Sequence, residues 1–212
     1  MGADHVKVYA VVPLSAPPRI KTRLAGALQL GARAALARWM AGRVLDAVRA
    51  SGAIAEVAVV SPDAEALAWA AGRGAVALHQ EGRGLNAALE IGRQWALSRD
   101  ADALLVLLGD LPYLTPRDVS ALVRLLPDGD APAAVLAPDR HERGTNVLLL
   151  RPPDALPFAF GRESFHRHEA RALALGVRAV WYTSEGTRSD VDTPDDLAVL
   201  VASGLWRPAA VS

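Results

Sequence analysis

The chain has 212 residues with 23 basic and 23 acidic side chains, so its formal net charge is +0. That balance, without a long block of like charge, argues against a surface dedicated to nucleic acid or anionic lipid, and the absence of cysteine excludes disulfides and thiolate metal sites, leaving hard metals favoured. No basic leader precedes an apolar stretch, and no apolar run reaches the roughly 18 to 20 residues of a membrane span, so the expectation is a cytoplasmic protein with neither membrane nor nucleic acid as partner.

A chain of this size can bury a substantial core as one domain, expected over residues 1–205 with a loosely held tail at 206–212. The first strand is expected at His5–Leu14 and runs into a proline-rich segment, Pro13-Leu14-Ser15-Ala16-Pro17-Pro18-Arg19-Ile20-Lys21-Thr22-Arg23-Leu24. Loops after the first strand of a doubly wound sheet sit over the ligand crevice. Lys21 and Arg23 lie two apart, so in an extended loop both cations could face one side and receive a polyphosphate; a solvated basic pair before a helix is the plainer reading. Lysine occurs elsewhere only at Lys7, in a chain that otherwise uses arginine. The spacing of a Walker P-loop is absent.

Helix follows over Gly31–Ser51, where Leu36, Met40, Val44 and Val48 form an apolar stripe beside four arginines, as in a crossover helix lying on the surface. A strand at Ile54–Ser61, a helix at about 62–73 and a strand at Ala75–His79 come next. Glu81-Gly-Arg-Gly-Leu-Asn-Ala-Ala88 then opens a helix at about 84–99. Its glycines let backbone N–H groups approach a base or phosphate, and Asn86 at the helix start supplies both a donor and an acceptor; a loop with a helix cap explains the segment about as well.

Ala103–Gly109 is a continuous apolar run that fits a strand covered on both faces, ending in Gly109-Asp110-Leu111-Pro112. Asp110 should therefore project into the crevice outside the sheet, where an oxygen ligand suits Mg²⁺, although a turn-capping role is the competing reading. A helix at about 115–126 is followed by two consecutive strands, Ala133–Ala137 and Thr145–Arg151, a hairpin-like interruption that could place one antiparallel strand in the sheet.

Gly161 and Ser164 fall at the start of a helix at about 162–175, where free N–H groups and a hydroxyl can hold an anion. His166, His168 and Glu169 on that helix read as a solvated face. After a strand at Val177–Thr183, Ser189-Asp190-Val191-Asp192-Thr193 puts two carboxylates at period-two spacing, expected on one face of a strand end, where either could complete a metal site begun by Asp110. Asp195 and Asp196 belong to the first turn of a helix at about 193–203, explained by its dipole. The alternation of strands and helices specifies an α/β fold, a right-handed and mainly parallel doubly wound sheet.

In order along the chain, Val12-Pro13 with Lys21-Thr22-Arg23-Leu24, Gly84-Leu85-Asn86, Gly109-Asp110-Leu111-Pro112, Gly144-Thr145-Asn146, Phe160-Gly161 with Ser164, and Asp190-Val191-Asp192-Thr193-Pro194 resemble the guanylyltransferases of coenzyme F420 biosynthesis. That family acts on phosphoenolpyruvate or 2-phospho-L-lactate. The resemblance implies a single-domain Rossmann-like nucleotidyltransferase that uses Mg²⁺ to transfer GMP from GTP to the phosphorylated acid, releasing pyrophosphate. It implies that Lys21, Arg23 and Asp110 act in catalysis, with Pro13, Leu14, Lys21, Arg23, Leu85 and Asn86 on the nucleotide. Metal falls to Asp110 with Asp190 or Asp192, and the acid to Thr145, Gly161 and Ser164. Hand-over of product to a downstream F420 transferase, and an oligomer, are compatible partner states. One departure stands out: the family's usual lysine two residues after the first-loop proline is Ser15 here, which shifts phosphate binding toward Lys21, Arg19 and Arg23. A cytidylyl- or molybdopterin-type nucleotidyltransferase and a non-catalytic nucleotide-binding module are the alternative readings.

Overall fold

A computed structural model describes residues 6–16, 20–129 and 131–207. Arg19 and the tail beyond residue 207 lie outside them. Seven strands, β1 (Val8–Pro13), β2 (Glu56–Ser61), β3 (Val76–His79), β4 (Ala103–Leu107), β5 (Ala133–Pro138), β6 (Thr145–Arg151) and β7 (Arg178–Trp181), form one sheet in the order β3-β2-β1-β4-β6-β5-β7. β6 alone runs against its neighbours β4 and β5; the remaining pairs are parallel. The fold is thus the expected α/β sheet, with the anticipated antiparallel strand in its interior.

The helices are α1 (Leu30–Ala50), α2 (Ala64–Gly72), α3 (Leu85–Leu97), α4 (Pro116–Arg124), α5 (Ser164–Leu175), α6 (Glu185–Arg188) and α7 (Pro194–Ala202). Alternate strand residues feed two cores. Val8, Ala10, Val12, Leu105 and Leu107 pack with Val44 and Val48 of α1, Ala70 of α2 and Leu122 of α4. Tyr9, Val11, Leu104 and Val106 pack with Leu89 and Trp95 of α3 and Phe165 of α5. Both faces of β4 are covered, which is why its sequence does not alternate. The stripe read on α1 is buried throughout. Gly92 on α3 is a close-approach position: a Cβ there would fall 2.6 Å from a Val11 methyl, so the helix could not lie this near β1 with any side chain.

A third, smaller cluster joins distant parts of the chain. Leu24, Leu36 and Met40 pack with Val191, Leu197 and Leu200, tying the first loop to α1 and α7. No helix of the described residues is long and apolar enough to cross a membrane.

Because β6 is reversed, its first residues reach the same edge of the sheet as the carboxyl ends of β1, β4 and β5. Strands β1 and β4 are also where the chain's progression changes direction, from β1-β2-β3 outward on one side to β4 on the other. Such a switch point opens a crevice at the carboxyl edge.

Candidate functional site

Two groups of residues occupy this edge. The first centres on Lys21, whose Nζ lies 2.6 Å from Asp110 Oδ2 and 2.6 Å from Asp192 Oδ1. Over Lys21–Leu24 the first loop is not extended, although the sequence reading assumed that it was. Lys21 sits at φ 47°, ψ 50°, and Thr22–Leu24 form a 3₁₀ turn whose Leu24 plugs into the cluster with Val191. The left-handed residue and the tight turn therefore aim Lys21 at the carboxylates, while Arg23 stays outside, its side chain 74% exposed and 3.7 Å from Asp192 Oδ2. Leu24 and Val191, each buried beside a charged residue, hold the two loops at contact distance.

Burial opposes the charge on Lys21, but Asp110 and Asp192 outweigh it and hold the ammonium's pKa above its ordinary value. Asp190 completes the set. Burial, with Asp110 close by, pushes its carboxyl up to about 6; an amide hydrogen bond from Asn146 Nδ2 at 3.2 Å counteracts this, and Asp192 adds to it. Asp190 and Asp192 do not lie on a strand, because β7 ends at Trp181 and the four-residue α6 intervenes. They reach the site instead through loop contacts. The Val191 N–H donates to the Asp110 carbonyl, and Asn146 also binds the Thr187 carbonyl at 3.0 Å.

Beside these residues lies a cavity of ≈ 330 Å³, lined by Pro13, Leu14, Ser15, Lys21, Arg23 and Asp110 among others, at the lower end of the usual size for a small-molecule site. Leu85 and Asn86 are not in its lining. Among the described residues no group of three or more His, Cys, Asp or Glu side chains forms a ready metal cage. The carboxylates nevertheless fit a hard cation: Asp110 Oδ1 is buried without a hydrogen-bond partner, and burial, with Asp110 and Asp192 nearby, raises the Asp190 carboxyl, a crowding of acidic groups that a cation would relieve.

The second group is uncharged, and its Thr145, Ser164 and His168 are buried. Thr145 opens β6 and Ser164 opens α5, each 2% exposed; the Thr145 N–H donates to Ser164 Oγ at 2.8 Å. Thr145 Oγ1 lies 2.9 Å from His168 Nδ1, and the Ala159 N–H donates to His168 Nε2 at 3.0 Å. Asn86, at the start of α3, brackets the backbone of Phe160, accepting from its N–H at 2.8 Å and donating to its carbonyl at 3.1 Å. Gly161 follows at φ +121°, a conformation that side chains other than glycine's hydrogen rarely adopt. The structure thus brings Thr145, Gly161 and Ser164 together.

His168 is the residue that sequence reasoning misplaced. It is fully buried rather than solvated, while His166 is exposed and paired with Glu169 at 3.3 Å. The signal was present: Phe165, His168 and Ala172 recur at i, i+3 and i+7, and all three face the core. Asp196 also does more than complement a helix dipole. It accepts from the Asp192 and Thr193 N–H groups and pairs with Arg140 at 2.8 Å, bracing the loop that carries Asp192.

Residues 8–207 match the family described as guanylyl transferase CofC like. A phosphoenolpyruvate guanylyltransferase from Rubrobacter xylanophilus is 48% identical over 199 residues, covering 94% of this chain and 96% of that protein. A 2-phospho-L-lactate guanylyltransferase from Methanothermobacter thermautotrophicus is 34% identical over 206 residues, covering 94% and 86%. Among solved structures, a putative nucleotide-diphospho-sugar transferase from Desulfovibrio desulfuricans superposes with a TM-score of 0.74 at 18% identity, covering 93% of this chain and 87% of that one. At that identity the likeness concerns the fold alone.

Proposed function

The chain belongs to the CofC-like guanylyl transferase family and is a nucleotidyltransferase, and from that premise we propose that it transfers GMP from GTP to phosphoenolpyruvate in coenzyme F420 biosynthesis. The observation that carries this reading is the convergence of Asp110 and Asp192 on the Lys21 ammonium, with Asp190 near both carboxylates, beside a cavity at the switch point of the sheet. The more similar of the two relatives described above is named for phosphoenolpyruvate, which favours that acid over 2-phospho-L-lactate.

In the proposed reaction a phosphate oxygen of the acid attacks the α-phosphorus of GTP. A new phosphorus–oxygen bond forms as the bond to the β-phosphate bridge breaks, and pyrophosphate leaves with the electron pair. The attacking oxygen is already ionised at neutral pH, so no general base is needed, and rate comes from bringing two polyanions together. Asp110, with Asp190 or Asp192, would hold Mg²⁺, which when bound screens the charge between the triphosphate and the acid. Lys21 then exchanges its carboxylate partners for phosphate oxygens, and exposed Arg23 adds a planar fork. Asn86 keeps one N–H and one lone pair beyond those used on Phe160, enough to read a guanine edge with Leu85 beside it. Thr145, Gly161 and Ser164 take the acid by hydroxyl and backbone donors rather than by a basic patch. Hand-over of the product to a downstream transferase belongs to the same proposal.

The deciding experiment supplies the protein with each NTP, Mg²⁺ and an equimolar mixture of phosphoenolpyruvate, 2-phospho-L-lactate and 3-phosphoglycerate. Pyrophosphate is measured and products are identified by mass spectrometry. Guanylylated phosphoenolpyruvate as the main product is expected. Equal or better turnover with CTP, or tight GTP binding with no pyrophosphate from any acid, rejects the assignment.

A further inference from the structure

The three residues assigned above to the acid are all tied to one imidazole that no substrate need touch. His168 Nε2 receives the Ala159 N–H, so it carries no proton. A neutral ring then carries its proton on Nδ1, which must donate to Thr145 Oγ1 at 2.9 Å. The Thr145 oxygen is thereby an acceptor toward the histidine, and its own hydroxyl proton is left to point elsewhere. Ser164 Oγ is in the same position, accepting from the Thr145 N–H. Neither hydroxyl proton has an acceptor among the described residues. Two nearly buried O–H donors without acceptors are costly unless an anion completes them. Through Ala159 the same imidazole also holds the strand of backbone that leads to Phe160 and Gly161, which Asn86 clamps from the other side.

The ring has no freedom to choose otherwise. It is fully buried, and Phe160 stands edge-on to it with centroids 5.0 Å apart. Burial, with Arg171 and Arg167 nearby, pushes its pKa down to about 4, so it stays neutral at ordinary pH.

We propose that His168 is a positioning residue for the acid: its Nδ1–H turns the Thr145 hydroxyl into an outward donor, while its Nε2 fixes the 159–161 segment beside Ser164, presenting a preset pair of hydroxyl donors to an oxyanion. This rests on the reading that Thr145, Gly161 and Ser164 bind the phosphorylated acid.

Two replacements separate the ring's two ends. His168→Asn keeps an N–H donor near the position of Nδ1, whereas His168→Gln keeps an acceptor near Nε2 and loses the donor to Thr145. With GTP and phosphoenolpyruvate, His168→Gln is expected to raise KM for the acid about tenfold, the scale of one lost donor hydrogen bond, with KM for GTP unchanged. His168→Asn is expected to recover most of that loss. Thr145→Val should raise the acid KM similarly, and the double variant with His168→Gln should add little, because the two residues form one chain of hydrogen bonds. If Thr145→Val leaves the acid KM unaltered, the acid-pocket reading itself fails. If Thr145→Val raises it and His168→Gln does not, or if both His168 variants change the acid and GTP constants alike, the inference about His168 fails alone. Nitrogen-15 NMR of the histidine-labelled wild type needs no variant to fold: a neutral ring protonated at Nδ1 is expected for His168, and a ring protonated at Nε2, or a cation at neutral pH, overturns the proposal.

Discussion

The carboxylate group and the hydroxyl group at the carboxyl edge are built on opposite principles. Around Lys21 the contacts are between full charges, carried by loops and held by six apolar side chains of the small third cluster. Around His168 the contacts are between neutral dipoles at the ends of regular elements, each partner almost fully buried. Ion pairs between loops can exchange one partner for another when a polyanion arrives. Dipoles locked in a core cannot, and they discriminate by geometry. Under the proposed function, one edge of the sheet would thus offer an adjustable charge balance for the triphosphate and a fixed mould for the small acid.

The sharpest break in this contrast is expected from Asp110→Asn. Losing a carboxylate that faces both Lys21 and the crevice should leave the circular dichroism spectrum unchanged and lower pyrophosphate release by on the order of a thousandfold, about 4 kcal/mol in barrier. Turnover at the wild-type rate would remove the charged group from the chemistry.

The neutral group has its own signature, which is stability rather than rate. His168 titrates near 4 when folded and near its ordinary 6.5 when unfolded. Between those values the unfolded chain binds more protons, so stability is fully present above about 6.5 and is lost as pH falls toward 4. Asp190, raised to about 6, contributes with the opposite sign in both proteins, so the quantity to read is the difference: the wild type should lose roughly 3 kcal/mol more than His168→Gln in urea unfolding between those pH values. An identical slope in the variant would mean that the imidazole is not held neutral by the fold.

Smaller effects sharpen the division of labour. Lys21→Ala should weaken GTP use about thirtyfold, with Arg23→Ala costing only severalfold because its side chain is largely in solvent; Arg23→Lys should rescue part of that, since a point charge cannot reproduce a fork. Unchanged GTP kinetics in Lys21→Ala would reduce the first loop to a structural ion pair. Least of all, Ser164→Ala should raise KM for the acid severalfold and leave GTP alone, about 1 kcal/mol for one neutral donor. A loss of GTP affinity instead would exchange the two groups' roles.

The regular elements were readable because their signals are periodic. The β6 bounds Thr145–Arg151 coincide with the expected strand, and the stripe from Leu36 to Val48 on α1 is buried as its spacing implied. Failure came where contacts, not period, decide the conformation. The short α6 contains Gly186 and has no apolar repeat; it exists because Ser184 and Thr187 form a capping box and because Gly186 lets it lie against Tyr113 and Asp118. The same hidden helix is why the two-residue spacing of Asp190 and Asp192 suggested a strand that is not there. In the first loop, the left-handed turn at Lys21 is imposed by carboxylates far along the chain, which no local pattern could announce. The role of Asn86 as a clamp on Phe160 was equally invisible, since its partner lies 74 positions away.

The union of Lys21 with Asp192 spans 171 positions, and the cluster that supports it needs Leu197 and Leu200. During synthesis, the first loop and α1 leave the ribosome long before those residues do. Until they do, Lys21 lacks one of its two partners and Leu24 lacks most of its apolar seat. In a chain that lacks α7, Lys21 would therefore face an unfinished charge balance, and the first loop would be completed only when α7 packs against Leu24, Leu36 and Met40.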